Sequence, residues 1–151
     1  MPDDAATVPS PWGELARATT TLTSGETLVH DWYTGDSTSS ADGEPDLMLN
    51  ATDADAAAAL LPRVAAVFAD RAGWHRRATD AVVTEFSAGE PTADELAEAA
   101  GDLVLQTVEV LADGDVVLHL DDSCGQHFLD GYWPAVRFDA DDVAVEVTVE
   151  A

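Results

Sequence analysis

The stretch Leu103–Leu120, LVLQTVEVLADGDVVLHL, decides the fold class of this chain. Two apolar runs flank Asp113-Gly114, a dipeptide that suits a two-residue type I′ hairpin because both residues tolerate positive φ. On the return side, Val116, Leu118 and Leu120 alternate with polar or smaller neighbours, which indicates a strand with one buried face. The stretch therefore predicts two antiparallel strands joined by a tight turn.

Further strands are predicted on both sides of this hairpin. They are runs of β-branched, aromatic and aliphatic residues bounded by glycine, proline or aspartate. The predicted strands are residues 20–33 with a break at Gly25, Leu47–Leu49, 126–129, 135–138 and 143–150. The last has valine at every second position, as expected for a strand with one wet face.

The middle of the chain is predicted to be helical. Thr52 and Asp55 resemble a capping box, and residues 60–68 carry an apolar stripe of helical period. Pro62 either kinks this helix or marks its first turn, and Gly73 is predicted to end it.

Two more helices follow in the sequence. Apolar residues at steps of four predict the second over residues 74–86. Thr92 and Glu95 form a capping box that opens a third, short helix, and Gly101 is its predicted end.

These patterns predict an α+β fold, an antiparallel β-sheet with two or three helices packed on one face. Residues 1–19 are expected to form a loosely ordered N-terminal segment, and residues 20–151 a single α+β domain. Residues 34–45, rich in Ser, Asp and Gly, are expected to be an exposed loop.

The charge of the chain is its most unusual property. Thirty acidic residues oppose six basic ones, all of them arginine, for a net charge of −24. Three explanations stay open: the codon composition of a GC-rich genome, adaptation to high salt, or an acidic face that binds a basic partner protein. Each of them disfavours nucleic acid as a partner, because no basic patch is available to bind phosphates.

The surroundings of the protein are also predicted from the sequence. No apolar run is long enough to cross a membrane, and the N-terminus lacks the basic and apolar regions of a signal peptide. The single cysteine, Cys124, rules out an internal disulfide framework. We therefore expect a cytoplasmic protein; its oligomeric state stays open.

One segment near the C-terminus combines side chains that can carry chemistry. The candidate residues are His119, Asp121, Cys124, His127 and Asp130. On a hairpin, the two histidines would face each other across the turn and could bind a metal or serve a small hydrolytic enzyme. However, the spacing matches no common zinc motif, so we expect no bound metal or other cofactor.

A catalytic role is not favoured by these residues. A reactive thiol needs electropositive neighbours, whereas Cys124 is surrounded by aspartates, and negative neighbours raise the pKa of a thiol. No nucleophile, acid–base pair or phosphate-binding loop is recognisable, so a non-enzymatic role is preferred. Aromatic residues at Trp32, Tyr33, Tyr132 and Trp133 are candidates for partner contacts.

Residues 52–150 resemble an uncharacterised, actinobacterial-type family of bacterial domains of unknown function. The resemblance rests on the Asp113-Gly114 hairpin, the alternating strand after it, His127-Phe128 and the final valine-rich strand. Gln126 departs from the family's glycine–histidine element. The resemblance implies a helical middle, a C-terminal antiparallel sheet, and a binding role of the kind found in toxin–immunity systems.

The expected function is therefore a cytoplasmic binding protein, of immunity type in one version, which uses an acidic surface to bind a basic protein. The alternatives are a metal-binding or hydrolytic centre on the His119–His127 hairpin, and acidity that reflects salt adaptation alone.

Overall fold

The computed structural model describes residues 7–11, 13–35, 45–125 and 127–151. Within these residues, eight strands form one sheet in which spatial order follows chain order. The strands are β1 (Thr7–Ser10), β2 (Gly13–Thr21), β3 (Thr27–Gly35), β4 (Asp46–Leu49), β5 (Leu103–Val110), β6 (Val116–Asp122), β7 (Trp133–Phe138) and β8 (Ala144–Glu150). The helices are α1 (Ala54–Ala59), α2 (Leu61–Ala69), α3 (Arg71–Phe86) and α4 (Ala93–Asp102).

The sheet consists of two antiparallel meanders. Strands β1–β4 form the first and β5–β8 the second, and the two meet where β4 pairs with β5 in parallel. A parallel neighbour needs a long crossover, and the helical middle of the chain provides it. The α+β prediction is confirmed. The sequence patterns did not predict the parallel pairing of β4 with β5.

The core lies between the helices and one face of the sheet. Cross-strand partners place buried apolar residues on this face, for example Tyr33 opposite Leu49 and Leu118 opposite Val136. Helical residues such as Val64 belong to the same buried cluster. Helices on one face leave the second face of the sheet without helical cover, and this second face is called the outer face below.

The predicted hairpin at Asp113-Gly114 is confirmed, but the predicted two-residue type I′ turn is wrong. The Leu111 N–H donates to the Asp115 carbonyl at 2.8 Å, so residues 112–114 form a three-residue loop. Of these three residues only Gly114 has positive φ, at 93°. This is the pattern of a type I turn followed by one left-handed residue, a common alternative to the two-residue turn.

The first predicted helix is divided into two. Asp53, and not Thr52, caps α1, because its carboxylate accepts the Ala56 N–H at 2.8 Å. Pro62 lies in the first turn of α2, which confirms the prediction that it marks a first turn. A proline has no N–H to extend the hydrogen bonds of α1, so the chain starts a new helix there.

The second predicted helix begins earlier than expected. Gly73 was predicted to end the preceding helix but lies inside α3. The Asp70 carboxylate folds over this position, and a Cβ at residue 73 would clash with it. The prediction for α4 is confirmed at its start, since the Thr92 hydroxyl accepts the Glu95 N–H at 3.2 Å.

Two segments differ from the predicted strands and loops. Part of the segment 1–19, which was expected to be loosely ordered, contributes to β1 and β2. Strand β1 pairs with β2, and β2 pairs with β3. Residues 127–129 form no strand, because the N–H groups of His127 and Phe128 donate to the Asp122 carboxylate and not to a neighbouring strand. Residues 1–6, 12, 36–44 and 126 lie outside the described residues.

The final valine-rich strand is an edge strand. Val147 packs against the core, whereas Val143, Val145 and Val149 keep about half of their surface in solvent. The predicted strand is therefore confirmed, but its apolar face is only partly covered.

No helix among the described residues is both long enough and apolar enough to span a membrane.

Candidate functional site

A cleft of about 560 Å³ opens between the end of α3, helix α4, the loop 127–132 and the end of β8. Its walls are mostly apolar and aromatic side chains. These are Val82, Val83, Phe86, Ala99, Leu103, Phe128, Leu129, Tyr132 and Val149. Glu95 and Glu98 of α4 also line it, so carboxylates stand beside an apolar floor.

Several apolar side chains at this cleft are unusually exposed. Leu129 keeps 78% of its surface in solvent, and Phe86 and Tyr132 keep 55% and 48%. Phe128 packs edge-on against Phe86 with ring centroids 5.9 Å apart. A cluster of exposed aromatic and aliphatic side chains around a concavity is typical of a binding surface.

The loop that forms one wall is held by Asp122. Its Oδ2 accepts the backbone N–H groups of His127 and Phe128 at 2.8 and 2.9 Å. Burial is the largest single influence and raises the pKa of Asp122. The hydrogen bonds from these two N–H groups and from the Cys124 thiol lower the pKa, and together they outweigh the effect of burial. The net result is a pKa below the ordinary value, so Asp122 is ionised when it holds the loop.

Beside the cleft, Asp102, Cys124 and His127 converge. One ligand atom from each lies within 4.8 Å of the others. His127 Nε2 is 3.0 Å from Asp102 Oδ2. This hydrogen bond is the main reason that the pKa of His127 is raised, with desolvation opposing it and nearby carboxylates adding to it.

Cys124 lies in the turn after β6 and is exposed. Its Sγ is 3.3 Å from Asp122 Oδ1, so the thiol donates to a carboxylate. A carboxylate acceptor stabilises the protonated thiol, the opposite of what a nucleophilic cysteine needs. The expectation that Cys124 is not a nucleophile stays a prediction.

His119 belongs to a different network on the outer face of the sheet. Its Nε2 is 2.8 Å from Glu109 Oε1, and Trp133 Nε1 donates to its Nδ1 at 3.0 Å. Asn50 Nδ2 donates to the second oxygen of Glu109 at 2.7 Å. The network links the residue after β4 with β5, β6 and β7.

The chemistry of Trp133 defines the proton position on His119. An indole N–H only donates, so the Nδ1 that accepts it carries no hydrogen, and Nε2 donates to Glu109. The hydrogen bond from His119 is the main cause that lowers the pKa of Glu109; burial opposes it, and Asn50 adds to it. Every ring nitrogen of His119 therefore has a partner inside the protein.

The structure does not bring the five predicted site residues together. Cys124 and His127 join Asp102, whereas His119 joins Glu109 and Trp133. Asp121 at the end of β6 and Asp130 in the loop are exposed, and neither belongs to the Asp102–Cys124–His127 group. The two histidines do not face each other, because the chain leaves the sheet after β6 and His127 is held by Asp122.

The four aromatic candidates also lie in different surroundings. Tyr33 is only 1% exposed, so it is a core residue and not a contact residue. Trp32 stacks on His30 with ring centroids 4.4 Å apart. Trp133 is half-buried in the His119 network, and only Tyr132 lies at the cleft.

Four arginines form ion pairs with carboxylates of the described residues. Arg17 pairs with Asp31, Arg63 with Asp142, and Arg76 with Asp80. Arg137 contacts both Asp113 and Asp115. The positive charges of these four arginines therefore offset carboxylates of the same molecule.

Two carboxylates, Asp102 and Glu109, were not predicted as site residues. Asp102 directly precedes β5, and Leu103 pairs with Asp122, so the pairing of β5 with β6 brings Asp102 close to the turn that contains Cys124. The register alone does not find Glu109, because the direct partner of His119 in β5 is Thr107 and Glu109 lies diagonally, opposite Val117.

The chain matches no protein-family model, no curated protein sequence and no solved structure. The resemblance of residues 52–150 to bacterial domains of unknown function therefore stays a prediction.

Proposed function

We propose that this chain is a non-enzymatic binding protein whose cleft accepts a basic segment of a partner protein. The observation that carries the proposal is the combination of exposed apolar side chains and carboxylates at one concavity. Leu129 and Tyr132 offer apolar contact area, and Glu95 and Glu98 stand beside them. A partner segment with a bulky apolar residue flanked by arginine or lysine would complement both the apolar side chains and the carboxylates of the cleft.

The charge distribution supports the choice of a basic partner. The net charge is −24, and the internal ion pairs of the arginines leave most carboxylates unneutralised. Such a surface attracts a positively charged protein over distances of about 10 Å and repels an acidic one. Burial of an aromatic or aliphatic anchor in the cleft would then provide most of the affinity.

The test uses two synthetic peptides, one with a central tryptophan between arginines and one with serine in place of the tryptophan. We expect the tryptophan peptide to bind about tenfold more tightly at moderate salt, as measured by calorimetry. Equal affinity for both peptides would contradict the proposal, because it would show that charge alone drives the association.

Matched variants locate the binding surface. Leu129→Ser and Leu28→Ser each remove an exposed leucine, one at the cleft and one on β3. Glu98→Gln and Glu26→Gln each remove one exposed carboxylate. Glu98 lines the cleft, whereas Glu26 lies in the connection between β2 and β3 and serves as the control. We expect weaker binding of the tryptophan peptide only for Leu129→Ser and Glu98→Gln. Equal losses within each pair would argue against the cleft.

Two other versions of the function are separated by simple measurements. An immunity-type role requires that the basic partner is a toxin whose activity falls on binding. If the acidity reflects salt adaptation alone, the stability of the protein should keep rising into molar KCl. For a protein whose carboxylates only repel one another, the rise should level off once screening is complete, near a few tenths molar.

A further inference from the structure

We propose that Asp102, Cys124 and His127 form a binding site for a zinc-class divalent cation at the edge of the cleft. The inference rests on the convergence of three donors and does not depend on the proposed partner. The donors come from three separate segments, namely the end of α4, the turn after β6 and the following loop.

The donor set matches the chemistry of zinc. One thiolate, one imidazole nitrogen and one carboxylate oxygen suit Zn²⁺ or Co²⁺, whereas Ca²⁺ and Mg²⁺ require oxygen ligands. Ligand atoms on a zinc tetrahedron lie about 3–4 Å apart. The three atoms lie within 4.8 Å of one another, so an ion bound by all three would draw them somewhat closer together.

The backbone around the site is held by groups other than the three ligands. Ser123 donates to the Asp102 carbonyl through its N–H at 3.0 Å and through its hydroxyl at 2.7 Å. Asp122 accepts two N–H groups of the loop that carries His127. The Ser123 contacts tie the turn to the end of α4, and the Asp122 contacts tie the loop to the end of β6. Hydrogen bonds around the ligands contribute to the affinity of a metal site.

The electrostatic surroundings favour a cation. Asp102 is the last residue of α4, where the aligned peptide dipoles place partial negative charge. The carboxylate of Glu98, one turn earlier in α4, adds negative charge near His127. Cys124 and His127 are exposed, so a cation can reach them from solution.

The experiment uses metal-free protein with Zn²⁺ and Co²⁺ as probes, in excess Mg²⁺ to occupy weak carboxylate sites. We expect one equivalent of Co²⁺ to give the intense visible bands of a tetrahedral site and a thiolate-to-cobalt charge-transfer band. Zn²⁺ should abolish both, and competition with a chromophoric chelator gives its affinity.

Variants decide whether the named residues bind the ion. Cys124→Ser should remove the charge-transfer band, and Cys124→Ser and His127→Gln should each weaken Zn²⁺ binding at least about tenfold. His119→Gln and Asp130→Asn are matched controls that should leave the affinity unchanged. Circular dichroism checks that each variant is folded, and two independent ligand variants guard against the failure of one.

Three results would overturn the inference. They are a missing charge-transfer band, a Cys124→Ser protein that binds Zn²⁺ as tightly as the unmodified protein, and control variants that lose as much affinity as the ligand variants. The last would identify the binding as a general property of an acidic surface.

Discussion

His119 and His127 are eight residues apart, and each places Nε2 about 3 Å from a carboxylate, yet they lie in opposite kinds of surroundings. The side chains of His119 and Glu109 are 14% and 15% exposed, and each ring nitrogen of His119 has a protein partner. The side chains of His127 and Asp102 are 34% and 32% exposed, and they lie next to a thiol and an open cleft. A histidine–carboxylate pair therefore indicates a functional site only where its surroundings leave room for a ligand.

The largest expected difference is in stability. His119→Ala should lower the free energy of unfolding by about 2–3 kcal/mol, because it leaves the half-buried Glu109 with Asn50 as its partner and the Trp133 N–H without its acceptor. His127→Ala should cost at most about 1 kcal/mol, since its ion pair is exposed. Urea denaturation of the two variants at neutral pH measures both values. A larger loss for His127→Ala would reverse the assignment of structural and functional roles.

The pH dependence of stability tests the His119 network directly. The pKa of Glu109 is lowered from its ordinary value of 4.5, so the unfolded chain binds the proton more tightly than the folded protein does. This contribution is present above the unfolded pKa and is lost as the pH falls through the folded pKa. Glu109→Gln should therefore be less stable near neutral pH, by about 1–2 kcal/mol.

The same variant should approach the unmodified protein in stability as the pH falls below 4.5 and through the lowered pKa of Glu109. Urea midpoints measured across this range provide the comparison, with Glu26→Gln as a control that changes an exposed carboxylate next to the β2–β3 turn. A stability difference that does not change with pH would show that Glu109 acts through packing and not through its charge.

At the His127 cluster we expect a smaller effect. Asp102→Asn keeps an oxygen that can accept from His127 but removes the charge, and should lower the free energy of unfolding by less than about 1 kcal/mol. Because the pair is exposed, 1 M NaCl should reduce this difference further. A loss that persists in high salt would mean that Asp102 supports the fold through neutral contacts.

The smallest effect is expected at the cleft. Leu129→Ser should change the free energy of unfolding by less than about 0.5 kcal/mol, because 78% of the leucine is already in solvent. Thermal unfolding with Val136→Ala as a buried comparison measures it, since that valine is fully buried. A destabilisation similar to that of the buried variant would mean that Leu129 serves packing and not binding.

Most of the secondary structure was predictable because it depends on neighbouring residues. The hairpin around Asp113-Gly114, the capping box at Thr92 and the alternating valines of β8 all produce the expected elements. Strand β1 and most of β2 were missed because their residues lack regular alternation. The sheet itself stabilises them, since β1 pairs with β2 and β2 pairs with β3.

The candidate site was predictable only in part. The segment around Cys124 and His127 was recognised from its residue types, but the partners of both histidines were not. Glu109 meets His119 diagonally and not as its direct strand partner, which is Thr107. Nearer to Asp102, a register shift between Leu105 and Thr107 changes the pairing of β5 with β6, and a local pattern contains no signal for such a bulge.

By itself, the sequence determined the α+β class, the position of the Asp113-Gly114 hairpin, the Thr92 cap of α4 and the acidity of the chain, because each depends on residue type and short-range periodicity. Only the tertiary structure decided which carboxylate each histidine meets and where apolar side chains stay uncovered. Glu109 reaches His119 across a strand pair, and Asp102 reaches His127 across 25 residues of chain. Such contacts depend on how the sheet and helix α4 pack together, since local patterns do not encode the distance between remote residues.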